Sequence, residues 1–126
     1  MTDFVIDSSA IMALVLGETG ADKVAQAVEH SMASAVIFAE CLGKLALKGG
    51  DRRAIAERLL AAGLAVEPAD AETALKVSDL YGLARQNLSL ADRFCLALAA
   101  DRALPVLTAD RAWAGLDLPV EVHLIR

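Results

Sequence analysis

Short strand-like runs alternate with longer helical ones along this chain, and that alternation constrains the fold more than any other feature. Apolar runs of strand length occur at 2–7, 32–35, 64–67, 106–108 and 120–125. Between them, apolar residues three and four apart predict helices over 8–16, 20–30, 35–48, 52–62, 70–86 and 89–104. Asp7 or Ser8, Ser34 and Asp51 stand where N-caps belong, and Gly17, Gly49-Gly50 and Gly63 where helices stop. In the 20–30 helix Val24, Ala27 and Val28 face inward, and in the 70–86 helix Ala74, Leu75, Val77, Leu80 and Leu83 recur at helical spacing. The 89–104 segment is nearly all apolar and is therefore expected to be buried. Strands separated by helices predict an α/β fold on a mainly parallel sheet.

The 126 residues suffice for one domain, 1–126, with one sizeable core. Hydrophobic residues reach 56% but aromatics only 4%, so the core must be built from Ala, Leu, Val and Ile. No apolar run approaches the ~18 residues of a membrane span. Asp3 and Asp7 stand where a signal peptide would be basic, so a soluble, cytoplasmic protein is expected. The mean hydropathy of +0.48 is high for a small domain, and a partner or second copy is expected to cover part of it. Cys41 and Cys95 lie in Ala/Leu-rich helical patterns and read as small buried hydrophobes without a disulfide. With His30 and His123 they show no zinc-like spacing. A net charge of −5 argues against a protein that coats nucleic acid non-specifically, although the acids of a nuclease would count toward that total.

Four acids stand beside apolar sequence: Asp7 after Phe4-Val5-Ile6, Glu40 inside Val36–Leu42, Asp92 before Phe94–Ala100, and Asp110 after Pro105–Thr108. Charge next to a core must be capped, paired or bound to a cation. Each acid alone has an ordinary reading. Asp7 fits a helix N-cap, and Glu40 an i,i+4 pair with Lys44. Asp92 fits a capping box with Ser89, and Asp110 a turn. Together they are harder to explain, since two carboxylates ~4 Å apart repel by roughly 4 kcal/mol at an effective dielectric of about 20. A hard divalent cation, Mg²⁺ or Mn²⁺, would offset that repulsion through oxygen ligands.

The stretches Val5-Ile6-Asp7-Ser8-Ser9-Ala10, Ser34-Ala35-Val36-Ile37-Phe38-Ala39-Glu40, Leu88 to Ala99 and Pro105 to Trp113 resemble, in order, the four acidic motifs of PIN-domain nucleases. In particular they are similar to the VapC toxins of type II toxin–antitoxin modules. Two departures stand out: Ala91 where relatives often carry Gly, and apolar Ile37 and Phe38 where a polar residue is common. The resemblance covers essentially the whole chain. It implies a three-layer α/β/α sandwich around a parallel sheet and a Mg²⁺- or Mn²⁺-dependent endoribonuclease. It makes Asp7, Glu40, Asp92 and Asp110 the catalytic, metal-binding acids, with the hydroxyls of Ser8 and Thr108 nearby. It also implies a homodimer and a cognate antitoxin that blocks the acidic groove.

A metal held by Asp7, Asp92 and Glu40 would acidify its water and neutralise a phosphate oxygen, with Asp110 completing a second position or orienting the water. No motif contains His, which disfavours paired-imidazole chemistry and a cyclic phosphate product. Lys44 and Lys48 follow Glu40 at one-turn intervals and are candidates to lead phosphates inward. Arg52, Arg53 and Arg58 come next, and Arg93 and Arg111 flank two of the acids. A solvated face with local ion pairs accounts for the lysines equally well. One Trp and one Tyr leave little stacking surface, so RNA recognition through shape and backbone is expected. A phosphorelay receiver domain would need its middle acid at a strand end and a Lys near the last strand, and neither is present. The remaining rivals are a PIN nuclease of RNA processing and a non-catalytic PIN scaffold.

Overall fold

The computed structural model describes residues 2–81 and 88–126. Five strands form one parallel sheet: β1 (Phe4–Ile6), β2 (Ser31–Ser34), β3 (Ala65–Glu67), β4 (Val106–Thr108) and β5 (Val122–Leu124), in the order β3-β2-β1-β4-β5. Each was expected from its apolar run: β4 matches it, β2 is shifted back by one residue, and the other three are shorter, because ladder pairing ends where caps and turns take over the backbone bonds. Among the described residues six α-helices flank the sheet: α1 (Ser8–Leu16), α2 (Ala21–Ala27), α3 (Ala35–Leu47), α4 (Arg52–Ala61), α5 (Ala71–Asp79) and α6 (Leu90–Arg102). Crossovers between parallel strands are right-handed. The steps from β1 to β2 to β3 run one way, and the step from β3 to β4 runs back across two strands, so the connecting helices cover opposite faces. This is the α/β/α sandwich expected.

The caps read from the sequence are present except at α1, where Asp7 holds the N-cap position without a side-chain bond. Ser34, Asp51 and Ser89 accept from the amides of Val36, Ala54 and Asp92, and Asp70 does the same from Thr73. Gly17 closes α1 at φ 68°, a left-handed conformation that suits glycine. Gly63 is more constrained still: at φ 104°, an added Cβ would meet the Glu29 backbone at 2.9 Å. It thereby pins the end of α4 against the segment leading into β2.

Three expectations need correction. The 20–30 helix tightens to a 3-10 turn over Val28–His30, although Val24, Ala27 and Val28 are buried as expected. In α5 only Val77 and Leu80 face the core, while Ala74 and Leu75 are exposed. Leu75 lies about 200° around the helix from Val77 and cannot share its stripe. The continuation to 86, with Leu83, lies outside the described residues. α6 stops at Arg102, with Ala103 in the left-handed region at φ 53°.

The core is aliphatic, with Val5, Ile6, Ile11, Ile37, Leu96, Val106 and Leu107 all but fully buried, and Trp113 its one large ring. Cys41 and Cys95 are free and buried in it. No described helix is long and apolar enough to cross a membrane.

Candidate active site

Order β3-β2-β1-β4-β5 puts the reversal of strand order between β1 and β4, and ligands of such sheets bind outside the carboxyl ends there. Asp7 follows the last residue of β1, and Thr108 is the last residue of β4. The amide of Asp7 donates to the Leu107 carbonyl at 3.0 Å, which ties the two strand ends together.

Asp7 sits at the N-cap position of α1, yet its carboxylate makes no cap bond. Its backbone carbonyl does the capping work, accepting from Ala10 and Ile11. The side chain, only 3% exposed, turns to two hydroxyls instead. Ser9 Oγ donates to Oδ2 at 2.7 Å and Thr108 Oγ1 donates to the same oxygen at 3.0 Å. Each hydroxyl has one proton, so with both given to Asp7 their lone pairs face the next turn. There Ser9 accepts from Ala109 N at 2.9 Å and Thr108 from Asp110 N at 3.0 Å. One oxygen of Asp7 is thus saturated. The other, Oδ1, is buried and makes no hydrogen bond of good geometry, although the Ser8 amide lies close enough to the carboxyl to offset part of its burial. A buried carboxylate oxygen left bare is costly, and few native structures carry one without a reason.

Glu40 lies on the half-buried face of α3, where the expected pair with Lys44 is joined by a hydroxyl partner. Ser8 Oγ donates to Oε1 at 2.7 Å, and Lys44 Nζ lies 3.6 Å from the same oxygen. Asp92 makes the capping box with Ser89: Oδ2 accepts from Ser89 N at 2.9 Å, and Ser89 Oγ accepts from Asp92 N at 3.1 Å. Asp110 is exposed and caps the following 3-10 turn (Arg111–Gly115) through Oδ1, which accepts from Ala112 N at 3.0 Å.

The four acids share one electrostatic neighbourhood. Burial pushes the Asp7 carboxyl above its ordinary range, the hydroxyls of Ser9 and Thr108 oppose the rise, and the charge of Asp92 adds to it. Asp92 is raised chiefly by burial; its bonds to Ser89 oppose this, and Glu40 and Asp110 push it further up. Burial raises both thiols beside them, Cys41 to about 12, which leaves them protonated and inert.

Among the described residues, no three acidic, histidine or cysteine side chains form a ready-made metal cluster. The donor chemistry nonetheless suits a hard cation. The groups offered are carboxylate oxygens, one of them bare and held at a fixed angle. Mg²⁺ characteristically takes one or two carboxylates and keeps several waters. A hollow of about 170 Å³ between α5 and α6, lined by Phe94, Lys76 and Asp101 among others, contains none of the four acids.

The residues expected to touch substrate divide in two. Lys44, Lys48 and Arg111 are exposed. Ser8, Thr108 and Arg93 are buried at 5%, 0% and 6% exposure, which removes them as substrate contacts. Ser8 positions Glu40 and Thr108 positions Asp7. Arg93 lies on the inward stripe of α6 with Leu96 and Ala97. Its Nη1 donates to the Leu88 carbonyl at 2.6 Å, and its guanidinium stacks 4.1 Å over the Tyr81 ring. It anchors the entry to α6 rather than reaching solvent. Ser9 was the residue sequence reasoning passed over, although it stands two positions after Asp7, the spacing at which a hydroxyl readily bonds a preceding Asp.

A family model described as PIN domain matches residues 4–118. Solved structures share the fold. A chain of the DNA-bound VapBC from Salmonella typhimurium superposes with a TM-score of 0.75 at 18% identity, over 100% of both chains. Mycobacterium tuberculosis VapC20, a toxin that cleaves the sarcin-ricin loop, gives 0.73 at 18% identity over 94% of this chain and 99% of that one. A chain of a toxin–antitoxin complex from Klebsiella pneumoniae gives 0.70 at 18% identity, over 94% and 99%. At such identities the likeness is one of fold. No curated protein sequence matches the chain.

Proposed function

The chain belongs to the PIN-domain family, and from that premise we propose that it is a Mg²⁺- or Mn²⁺-dependent endoribonuclease, the toxin of a type II toxin–antitoxin pair. The observation that carries this reading is the bare, buried Oδ1 of Asp7, held at the strand-order reversal beside the charge of Asp92. Asp7 and Asp92 would hold the ion, with Glu40 beside them and Asp110 at a second position. When bound, the cation supplies Lewis acidity, acidifying a water and offsetting negative charge on the phosphate.

The rest of the work falls to the chain's own groups. Ser9 and Thr108 fix the rotamer of Asp7, and Ser8 holds Glu40. Asp110, with Oδ1 committed to Ala112, has Oδ2 to orient the attacking water. Lys44, Lys48 and Arg111 face solvent, where they can take phosphates. As the water oxygen bonds to phosphorus, the bond to the 3′ oxygen breaks and its electron pair leaves with that oxygen. The water's proton is lost to solvent and the leaving oxygen gains one. The products are a 5′-phosphate and a 3′-hydroxyl.

The fold neighbours include a toxin that cleaves RNA and complexes of toxin with antitoxin. This supports RNA as substrate and an antitoxin as partner. The surplus of exposed leucines supports a homodimer, which sedimentation at micromolar concentration would show. The decisive experiment incubates the protein with single-stranded RNA and Mg²⁺, with EDTA, and beside an Asp92→Asn variant. Cleavage should need both the metal and Asp92, and should leave 5′-phosphate ends. Equal cutting by the variant, or a 2′,3′-cyclic phosphate on the product, would overturn the assignment.

A further inference from the structure

The lysines and arginines of this chain are unevenly committed. Lys23 donates to the Leu124 carbonyl, Lys44 pairs with Glu40, and Lys76 with Asp101 and Glu72. Arg93 holds the Leu88 carbonyl, Arg102 pairs with Glu67 and Asp101, and Arg126 with Glu18. Among the described residues, the side chains of Lys48, Arg52, Arg53, Arg58 and Arg111 make no such bond. Four of these five fall within eleven consecutive residues, on the turn from α3 to α4 and on α4 itself, and all four are exposed. Over 44–58 five cations meet two acids, in a chain whose net charge is −5.

Lys48 at the C-cap of α3 and Arg58 in the last turn of α4 suit the negative ends of their helices, but local structure gives no account of the other two. Arg52 and Arg53 occupy the first turn of α4, which contains no acid. Cations are disfavoured at that end of a helix, because the unpaired amides already make it positive. Arg53 and Glu57 have the spacing of a helical ion pair and do not form one. Two arginines placed against the helix dipole, in a strip of four cations left without internal partners, point to a polyanion from outside.

Position distinguishes which polyanion. Glu40, Lys44 and Lys48 follow one another at four-residue intervals along α3, hence along one face. The strip therefore begins one turn beyond the lysine already paired to a site acid and leads away from it across the α3–α4 turn. We propose that this surface, Lys48 with Arg52, Arg53 and Arg58, is where the RNA backbone docks, the strand reaching the acids past Lys44. The inference rests on the nuclease reading for its direction toward the acids, and the docking itself can be tested without any cleavage.

The probe is a fluorescein-labelled single-stranded oligouridylate, titrated in EDTA over a range of NaCl concentrations. Wild type should bind with a steep salt dependence. For single strands each phosphate neutralised contributes about −0.7 to the slope of log K against log salt. The triple variant Lys48→Gln, Arg52→Gln, Arg53→Gln should therefore lose roughly 2 units of slope, and at least tenfold in affinity near 0.1 M salt. Single variants should lose proportionate fractions, and Lys23→Gln on the far edge should bind as wild type does. All these positions are exposed, and unchanged melting temperatures would show the variants folded.

Wild type that does not bind, or a triple variant with unaltered slope, overturns the proposal. So does a surface that proves to take only an acidic protein segment while RNA binding is intact. A chain that binds RNA through this strip and never cuts it would sink the nuclease reading and leave the docking surface standing. Cleavage by the triple variant with unchanged KM would do the reverse.

Discussion

At the scale of single residues the chemistry turns on an asymmetry within one carboxylate. Asp7 Oδ2 takes two hydroxyl protons while Oδ1 takes none. Groups that orient a metal ligand in this way typically matter 10–100-fold in metal affinity when removed. Ser9→Ala and Thr108→Val should each weaken Mn²⁺ binding, measured by calorimetry, by roughly that factor. Thr108→Ser, which restores the proton, should recover most of the loss. If both removals leave Mn²⁺ affinity unchanged, the hydroxyls serve packing alone. Asp7 itself was legible in the sequence because an acid directly after an apolar strand has few uses. Its supporting hydroxyls were harder to assign. Ser8 and Ser9 are chemically identical, and only the path of α1 decides that one reaches Glu40 and the other Asp7. Arg93 shows the opposite failure. Its spacing to Leu96 and Ala97 puts it on the buried stripe, but its charge and its place beside Asp92 suggested a substrate contact.

At the scale of elements, some helices announce both of their ends. Ser34, Asp51 and Ser89 begin helices by accepting amide protons, and Gly17 and Gly63 end them where φ must be positive. α6 lacks the second signal. The residue that turns out of it is Ala103 at φ 53°, so the sequence reads as helix through Leu104. A side chain in this conformation costs about 1–2 kcal/mol, and glycine avoids that while giving back roughly 0.5–1 kcal/mol of unfolded-chain freedom. Ala103→Gly should therefore stabilise the fold by about 0.5–1 kcal/mol in urea unfolding, with an unchanged slope. Destabilisation would mean that the Ala103 methyl has a packing role outweighing the strain. The same logic explains α5. Helical spacing shows which residues share a stripe, but Val77 and Leu80 are chosen as the inward one by the packing of α6 against α5, which spacing within α5 does not state.

At the scale of the whole molecule, the acids come from four separate segments carried toward one edge of the sheet: Asp7 and Asp110 follow β1 and β4, Glu40 lies in the helix after β2, and Asp92 opens α6, the second helix after β3. The parallel sheet that the sequence predicts thus carries most of the site with it. The distances between the acids depend on how far α3 and α6 lean over that edge, which no motif states. The arrangement strains the cation-free protein in a definite direction. Asp7 and Asp92 are both raised from an ordinary value of 3.8. A carboxyl raised in the folded state adds stability that is complete below its unfolded value and lost as pH climbs through the folded one. In EDTA, Asp7→Asn should therefore raise the melting temperature at pH 7, with the advantage closing as pH falls toward 4. A bound cation reverses the balance, because it needs both carboxyls ionised and competes with their protons. Mn²⁺ at 100 times its Kd should stabilise the wild type by ~2.7 kcal/mol near neutral pH. The melting shift at that same Mn²⁺ concentration should shrink in mildly acidic buffer and vanish in both Asp7→Asn and Asp92→Asn. A shift that survives both substitutions would place the cation elsewhere. A shift that grows as the buffer is acidified would mean that these carboxyls do not bind it. If EDTA-treated Asp7→Asn melts no higher than wild type at pH 7, the bare Oδ1 is not the liability that its burial implies, and the main physical reason for placing an ion there is gone.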